Sequence, residues 1–259
     1  VTALQAFCRR EETTPFVVLL SVYAALLSRY IGREDLIIGV PAASREQAEL
    51  GGLLGFFVNS LPLRFDLAGE PSIRALVRRV RQTLRLALAH QAAPFDQIVE
   101  QVRPERDLSQ APLFQTLFVL HHRPTRELRL PGLTIAPVEL PTTTAKFDFS
   151  LIVEEADPDW LAQFEYNTEI FNPATFAQLS DHWLRLLEAA LGNESRPVSC
   201  LPLLSAAEQH RVLIEWNHTA AEYPRNARTE ELIREAAERS PAAVAVRYAD
   251  RQQTYAELV

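Results

Sequence analysis

Asn59 is the residue whose type and setting first suggest a binding role. It lies between Val58 and Ser60 in an otherwise apolar, strand-like stretch, where a packed strand normally carries another aliphatic side chain. A buried carboxamide costs about 1–3 kcal/mol unless it forms hydrogen bonds. We therefore expect a partner for this side chain, supplied either by the protein itself in a bulged edge strand or by a ligand.

The residues around Asn59 predict an irregular strand. Gly51, Gly52 and Gly55 crowd its approach, which indicates a sharp turn or a place where another backbone or a ligand comes close. Pro62 cannot donate to a sheet ladder. We therefore expect the strand to end at Pro62 or to lie on the edge of a sheet.

The elements that must position Asn59 are predicted helices and strands that follow one another along the chain. Apolar residues recur at helical spacing in four segments, residues 14–32, 72–88, 95–102 and 172–192. Strand-like runs occupy residues 36–40, 53–64, 114–120, 128–140, 147–153 and 160–166. We expect Pro41 to end the first strand and Gly192 to cap the last of these helices.

The charge pattern argues against nucleic acid and acidic membranes as the main partners. The formal net charge is −7, the isoelectric point is near 5.5, and no run of like charge interrupts the chain. Five arginines do cluster on one predicted helix, at spacings that favour its outer, solvated side. They are Arg74, Arg78, Arg79, Arg81 and Arg85.

The cysteines and the apolar segments predict a cytoplasmic protein without a metal site. Cys8 and Cys200 have no CxxC spacing and no neighbouring histidine, which argues against a zinc site or a disulfide framework and fits a reducing compartment. No apolar segment is long enough to span a bilayer. The chain starts at Val1 without a signal-like segment or a methionine, so we expect a piece of a longer protein.

Three motifs follow one another in a fixed order, and they carry a family resemblance. They read LLGFFVNSLPLR at residues 53–64, HQAAPFD at residues 90–96 and ERDLSQAPLF at residues 105–114. In order and approximate spacing they resemble the last three core motifs of condensation domains from nonribosomal peptide synthetases. The stretches at residues 145–149 and 165–168 resemble others common in that family. The resemblance covers residues 1–200.

The resemblance implies a fold and a reaction. The family fold resembles chloramphenicol acetyltransferase, with two α/β lobes and a tunnel between them for two phosphopantetheine arms. For this chain it implies one α/β lobe with a mixed sheet and flanking helices. An acyl or peptidyl thioester on one carrier protein is attacked there by the amine of an aminoacyl thioester on the next, forming an amide. The implied partners are peptidyl carrier protein domains, the adenylation domain and the N-terminal condensation lobe. The arms belong to the carriers, so we expect no cofactor bound directly.

The family's catalytic motif, His-His-x-x-x-Asp-Gly, lies in the N-terminal lobe and is absent from this sequence. The pair His121-His122 is followed by Arg-Pro-Thr-Arg-Glu, which supplies neither the aspartate nor the glycine, and it ends a predicted strand in the wrong part of the chain. We therefore assign no catalytic residue here. The chain resembles the C-terminal lobe, which supplies a wall of the tunnel.

The C-terminal tail resembles the opening of an adenylation domain. The stretches Ala242-Ala243-Val244-Ala245-Val246 and Gln253-Thr254-Tyr255-Ala256-Glu257-Leu258 carry this similarity. Condensation, linker and adenylation is the usual module order in the family. We accordingly predict a condensation lobe at residues 1–200, a linker at residues 201–224 and the start of an adenylation domain at residues 225–259.

The resemblance implies that Asn59, Phe57 and Gln91 contact a substrate arm in the tunnel. Asn59 would hold a pantetheine amide or a backbone group of the opposite lobe, while Phe57, with Phe56, would exclude water. Arg45 matches the arginine of the family's Gly-x-Pro-x-x-x-Arg pattern. It would pair with the aspartate of the histidine motif across the lobe interface, or else be a solvated loop cation.

The remaining motif residues are predicted to be structural. Arg106 and Asp107 would form an ion pair with local backbone hydrogen bonds. Gln91, Pro94 and Phe95 first indicate the end of one helix and the start of the next, and only second a part of the tunnel floor.

Two other functions fit the same residues. A noncatalytic lobe that docks carrier proteins or neighbouring domains would also lack the histidine motif, and the sequence upstream of Val1 distinguishes it from a catalytic one. A stand-alone acyltransferase that uses coenzyme A is disfavoured by the adenylation-like tail.

Overall fold

The computed structural model describes residues 1–43, 49, 52–103, 110–122, 133, 144–155, 159–223 and 225–259. These residues divide into two compact units, Val1–Ser205 and Ala206–Val259. The first unit contains a five-stranded sheet with its helices, and the second contains short helices and a two-stranded hairpin.

The central element of the first unit is helix α2, Pro15–Ile31. It begins where the sequence predicts, because Thr14 accepts a hydrogen bond from the Val17 amide and proline occupies the first turn. It ends at Gly32, whose φ of 65° is the left-handed conformation that favours glycine. Every residue from position 17 to 27 is buried, and α2 packs against α1, Thr2–Arg10, which the sequence analysis did not predict.

The sheet is mixed, as predicted. Its strands are β1 Asp35–Ala43, β2 Val58–Asp66, β3 Thr116–His122, β4 Phe149–Glu155 and β5 Leu161–Tyr166. They lie in the order β2-β1-β3-β4-β5. The inner strands β1, β3 and β4 run parallel, and β2 and β5 pair antiparallel at the two edges.

Two predicted strand boundaries are wrong. β1 continues past Pro41 to Ala43, because its pairing with β3 is centred on Gly39 and Leu117 and Pro41 faces Ser60 of the edge strand. β2 begins at residue 58 and not at residue 53, because its partner β1 ends opposite that residue. The prediction of an edge strand is confirmed, and Pro62 lies in its middle.

Three further α-helices belong to the described part of this unit, α3 Ile73–Ala89, α4 Phe95–Val102 and α5 Pro173–Gly192, and a short 3-10 helix spans Val198–Cys200. Ser72 and Asn172 cap α3 and α5 by accepting hydrogen bonds from backbone amides, as predicted. Gly192 does not cap α5 in the left-handed conformation. It is the last helical residue, and Asn193, with φ of −140°, follows as the cap.

The core lies between the sheet and helices α2, α3 and α5. Among its polar links is a hydrogen bond between the Tyr23 hydroxyl and Thr116 Oγ1 that joins α2 to β3. Burial raises the pKa of Tyr23 above its ordinary value. At one margin, Arg74 of α3 pairs with Glu11 at 2.8 Å and with Glu194 at 2.7 Å, which ties the ends of three helices together.

The second unit contains α6 Ala206–His210, a π-helical turn Arg211–Glu215, α7 Thr229–Arg239, the antiparallel hairpin β6 Val244–Tyr248 and β7 Arg251–Thr254, and α8 Tyr255–Leu258. None of its described residues is buried. Across the described chain, no single helix is long and apolar enough to cross a membrane. Helices α1 and α2, bent by 102°, meet that test only as a pair and only by length and composition.

Candidate functional site

The carboxamide of Asn59 is bonded to the segment that joins α3 to α4. Its Nδ2 donates to the carbonyl oxygens of Gln91 and Ala93, each at 2.8 Å, and its Oδ1 accepts from the Phe95 amide at 3.2 Å. The expectation that a partner meets this side chain is confirmed, and the partner is the protein's own backbone. Asn59 therefore clamps residues 91–95 to the edge strand β2, and we refer to this arrangement as the Asn59 clamp.

The clamp supplies what the start of α4 lacks. The first amides of a helix have no partner within the helix, and Pro94, at the cap position, offers no side-chain oxygen to accept from them. Asn59 Oδ1 accepts from the first of these amides, that of Phe95. Because α4 has no buried residue, its position depends strongly on this hydrogen bond and on the Phe95 ring.

Phe95 begins a row of aromatic rings. Its ring centroid lies 5.5 Å from that of Phe114, which stacks in turn on Phe147 at 5.5 Å. Phe114 is only 1% exposed. Its ring lies over Gly39 of β1, where a Cβ atom would come within 2.5 Å of the ring atoms Cδ2 and Cζ. Glycine at position 39 therefore allows the row to approach the sheet.

The structure brings four of the predicted site residues together, namely Asn59, Gln91, Pro94 and Phe95. Gln91 is half-buried and contributes its backbone carbonyl to the clamp. Phe57 is also half-buried and lies two residues before Asn59, just outside β2.

The other predicted site residues, Arg45, Arg106 and Asp107, lie outside the described residues. The role predicted for each of them therefore stays a prediction.

An exposed apolar rim lies beside the clamp, within the run at residues 53–64 that the sequence predicted to be a strand. The rim consists of Leu54, which is fully exposed, Phe56, which is 89% exposed, and Val58. Burying a large apolar side chain is favourable by about 1.5–3 kcal/mol of free energy relative to leaving it exposed to water. The sequence did contain one signal for this exposure, namely the glycines that precede Asn59, because they indicate a turn close to another backbone or a ligand.

The described part of the chain offers little else for catalysis. His121 is exposed at the end of β3, beside Glu154 of β4 in the strand register. No group of three or more histidine, cysteine, aspartate or glutamate side chains in that part is arranged to hold a metal ion. The clamp and the rim are thus suited to positioning and contact, not to proton transfer.

A family model described as the condensation domain matches residues 1–213 of this chain. The chain belongs to the condensation-domain family. Among curated relatives, one of the linear gramicidin synthase proteins of Brevibacillus parabrevis is 41% identical over 257 residues, which are 98% of this chain and 5% of the relative. Malpibaldin synthetase of Mortierella alpina is 39% identical over 99% of the chain, again 5% of the relative. The chain thus spans about one-twentieth of these relatives.

Solved structures show the same condensation-domain fold. The X-domain from teicoplanin biosynthesis superposes with a TM-score of 0.71 at 24% identity, over 78% of this chain and 47% of that one. A four-domain nonribosomal peptide synthetase bound to AMP and glycine superposes with a TM-score of 0.72 at 22% identity, over 99% of this chain and 20% of that one. The mixed sheet with flanking helices is therefore that of condensation domains, in agreement with the predicted chloramphenicol-acetyltransferase-like fold class.

Proposed function

We propose that this chain is the C-terminal lobe of a condensation domain in a nonribosomal peptide synthetase. The lobe would comprise residues 1–200, followed by a linker at residues 201–224 and the start of an adenylation domain at residues 225–259. Three observations support this organisation. The match to the condensation-domain family model ends at residue 213. The chain covers 47% of the teicoplanin X-domain, about what one lobe of a two-lobed domain would cover. The similarity to the four-domain synthetase extends over 99% of the chain.

The proposed reaction is amide formation between two carrier-bound thioesters, in which this lobe supplies one wall of the tunnel. The observation that carries the proposal is the apolar rim beside the Asn59 clamp, because exposed Leu54 and Phe56 fit a surface that a second lobe covers. The carrier proteins bring the phosphopantetheine arms, so no cofactor binds this chain directly. The adenylation domain and the N-terminal lobe of the same synthetase are the further partners that we propose. We also place the protein in the cytoplasm.

A wall accelerates this reaction by positioning and by excluding water. Holding an amine and a thioester at reacting distance contributes about 7–11 kcal/mol in well-oriented cases, and a general base contributes about 10²–10⁴-fold more. Only the first contribution is assigned to this chain. The base would come from the histidine motif of the N-terminal lobe.

Each predicted site residue has a part in this proposal. Asn59 holds the 91–95 turn in place, while Phe57 and Gln91 face the arm. Pro94 and Phe95 set the start of α4 at the tunnel floor.

The residues outside the described part keep their predicted roles. Arg45 pairs with the aspartate of the histidine motif, since a bidentate arginine–carboxylate contact fixes geometry as well as charge. Arg106 and Asp107 form a local structural ion pair.

The Phe56→Asp variant of the parent synthetase tests the rim. Because the Phe56 ring is 89% exposed, the charge will leave the stability of this lobe unchanged, but it will disturb a covered interface. We expect single-turnover amide formation to fall at least tenfold. Ile170→Asp is the matched control, since Ile170 is also more than half exposed but follows β5, the edge strand opposite β2 in the sheet. Equal rates for Phe56→Asp and the wild type would remove the rim from the proposal.

A second candidate is a noncatalytic lobe that docks carrier proteins or neighbouring domains. The similarity to the teicoplanin X-domain, which was solved in complex with OxyB, favours it. The two candidates differ in the sequence upstream of Val1, where a catalytic domain carries the histidine motif and a docking domain does not.

A further inference from the structure

The outer face of α3 carries three arginines in one line. Arg78, Arg81 and Arg85 lie at spacings of three and four residues, so they fall within about 60° of one another around the helix axis and span about 10 Å along it. Leu88, three residues further on, continues the line and is 39% exposed. We call these four residues the arginine row.

No acidic residue of α3 neutralises the row. The sequence from Pro71 to Phe95 contains five arginines and neither aspartate nor glutamate. Two pairs of arginines, Arg74 with Arg78 and Arg81 with Arg85, stand four residues apart, a spacing at which like charges destabilise a helix. The helix therefore keeps this charge at a cost in stability.

The α3 arginines outside the row have structural partners, and those within it have none among the residues that the structure describes. Arg74 pairs with Glu11 and Glu194, and Arg79 donates to the carbonyl oxygens of Asp66 and Ala68 at 3.0 and 2.9 Å. Among the described residues, none forms a hydrogen bond or an ion pair with the guanidinium groups of the row. Within the described part of the fold, the row thus has no structural role.

The outer face of the second half of α3 is also presented to solvent. The fully buried residues of α3, namely Ile73, Leu76, Val77 and Val80, lie in its first half, and in its second half Leu84 and Ala87 pack against the core while only partly buried. The helix ends at Ala89, about 6 Å beyond Arg85 by helical rise, and leads directly into the turn that the Asn59 clamp holds. A domain bound to the row would therefore sit beside the candidate site.

We propose that the arginine row is a docking surface for a carrier protein domain, and this inference rests on the function proposed above. The matching partner surface is a helix with carboxylates at the same spacing and an apolar residue next to them, which contacts Leu88. Charge complementarity of this kind mainly raises association rates and selects the partner. Nucleic acid fits less well, because the net charge of −7 on the chain opposes a polyanion.

The double variant Arg81→Glu/Arg85→Glu in the parent synthetase tests the row. A loaded carrier domain is titrated as a separate protein, and its Kd is measured at low and high salt. We expect the Kd to rise at least tenfold at low salt and its salt dependence to flatten, because the charge pairs that salt screens are gone. In turnover, KM for the carrier will rise with little change in kcat, and condensation of a small, soluble aminoacyl thioester will stay at the wild-type rate.

The control is Arg9→Glu/Arg33→Glu, which changes the net charge equally at two exposed arginines outside α3. An equal rise in Kd for both double variants would mean a general charge effect and would overturn the proposal, as would tighter wild-type binding to duplex DNA or anionic vesicles than to the carrier. Arg81→Gln/Arg85→Gln, which removes charge without reversing it, guards against misfolding and should weaken binding by a smaller factor. If the wild type binds the carrier but forms no amide, the proposed function is wrong. The Kd values of the variants still show whether the carrier binds at the arginine row.

Discussion

Replacing Gly39 by alanine will destabilise the Val1–Ser205 unit by about 3 kcal/mol, as expected for overpacking in a fixed core. The added Cβ would lie 2.5 Å from two ring atoms of Phe114 and closer still to Cε2. The ring cannot move aside, because it is buried and packed between Phe95 and Phe147. The measurement is the midpoint of urea unfolding followed by a probe of this unit.

Two further variants make the Gly39 test specific. Gly192→Ala is the matched control, since a Cβ there meets nothing within 4 Å and alanine favours the helix, so stability should rise by up to about 1 kcal/mol. Gly39→Ala combined with Phe114→Leu should recover part of the loss. A wild-type midpoint for Gly39→Ala would contradict the close contact between β1 and the aromatic row.

The Asn59→Asp variant will break the Asn59 clamp. The substitution keeps the shape of the side chain but places a carboxylate oxygen against the carbonyl oxygens of Gln91 and Ala93, which now receive hydrogen bonds at 2.8 Å. The lost bonds and the repulsion will cost about 2–4 kcal/mol of stability. Because a misplacement of about 1 Å can cost 10²-fold in rate, we expect amide formation by the parent synthetase to fall by about that factor.

Asn172→Asp is the control for that change. Its Oδ1 accepts from the Ala174 amide at the start of α5, a role that aspartate fills equally well. The stability of the Asn172→Asp variant and its rate of amide formation should stay near those of the wild type. If Asn59→Asp also keeps the wild-type rate while the urea midpoint falls, the clamp supports the fold and does not position the reaction.

Local signals in the sequence predicted the elements well. Thr14, Ser72 and Asn172 were recognised as caps, and the apolar spacing gave α2, α3 and α4 close to their true limits. These features depend on residues within one or two turns. Helix α1 was not predicted, because its apolar side chains are buried by packing on α2, a contact that the local sequence pattern does not reveal.

The site itself depends on contacts that local patterns do not encode. The need for a partner at Asn59 followed from the cost of burying a carboxamide, but the partner lies 32–36 residues away in a turn that resembles ordinary helix punctuation. Gly39 meets Phe114 from a distant part of the chain. The sequence predicted a strand at Leu54 and Phe56 of the rim because apolar runs usually pair, whereas β1 ends opposite Val58, before it reaches these two residues.

The clamp also changes how Asn59 would act in the proposed tunnel. Both ends of its carboxamide are engaged by residues 91–95, so a substrate arm would meet the turn that Asn59 holds and not a free amide. Gln91 reaches the site through the same turn, with its carbonyl bound to Asn59. Positioning by a rigid turn is what a wall contributes to a reaction whose base lies elsewhere.

Amide formation by the chain alone tests the central claim most directly. The 259-residue chain, and the same chain joined to the upstream lobe of its parent synthetase, are each given loaded donor and acceptor carrier proteins. Mass spectrometry then detects the condensed product on the acceptor pantetheine. We predict no product above background from the chain alone and clear product from the joined protein. Turnover by the chain alone would contradict the assignment of the base to the other lobe, and His121→Ala would be the first variant with which to locate the missing base.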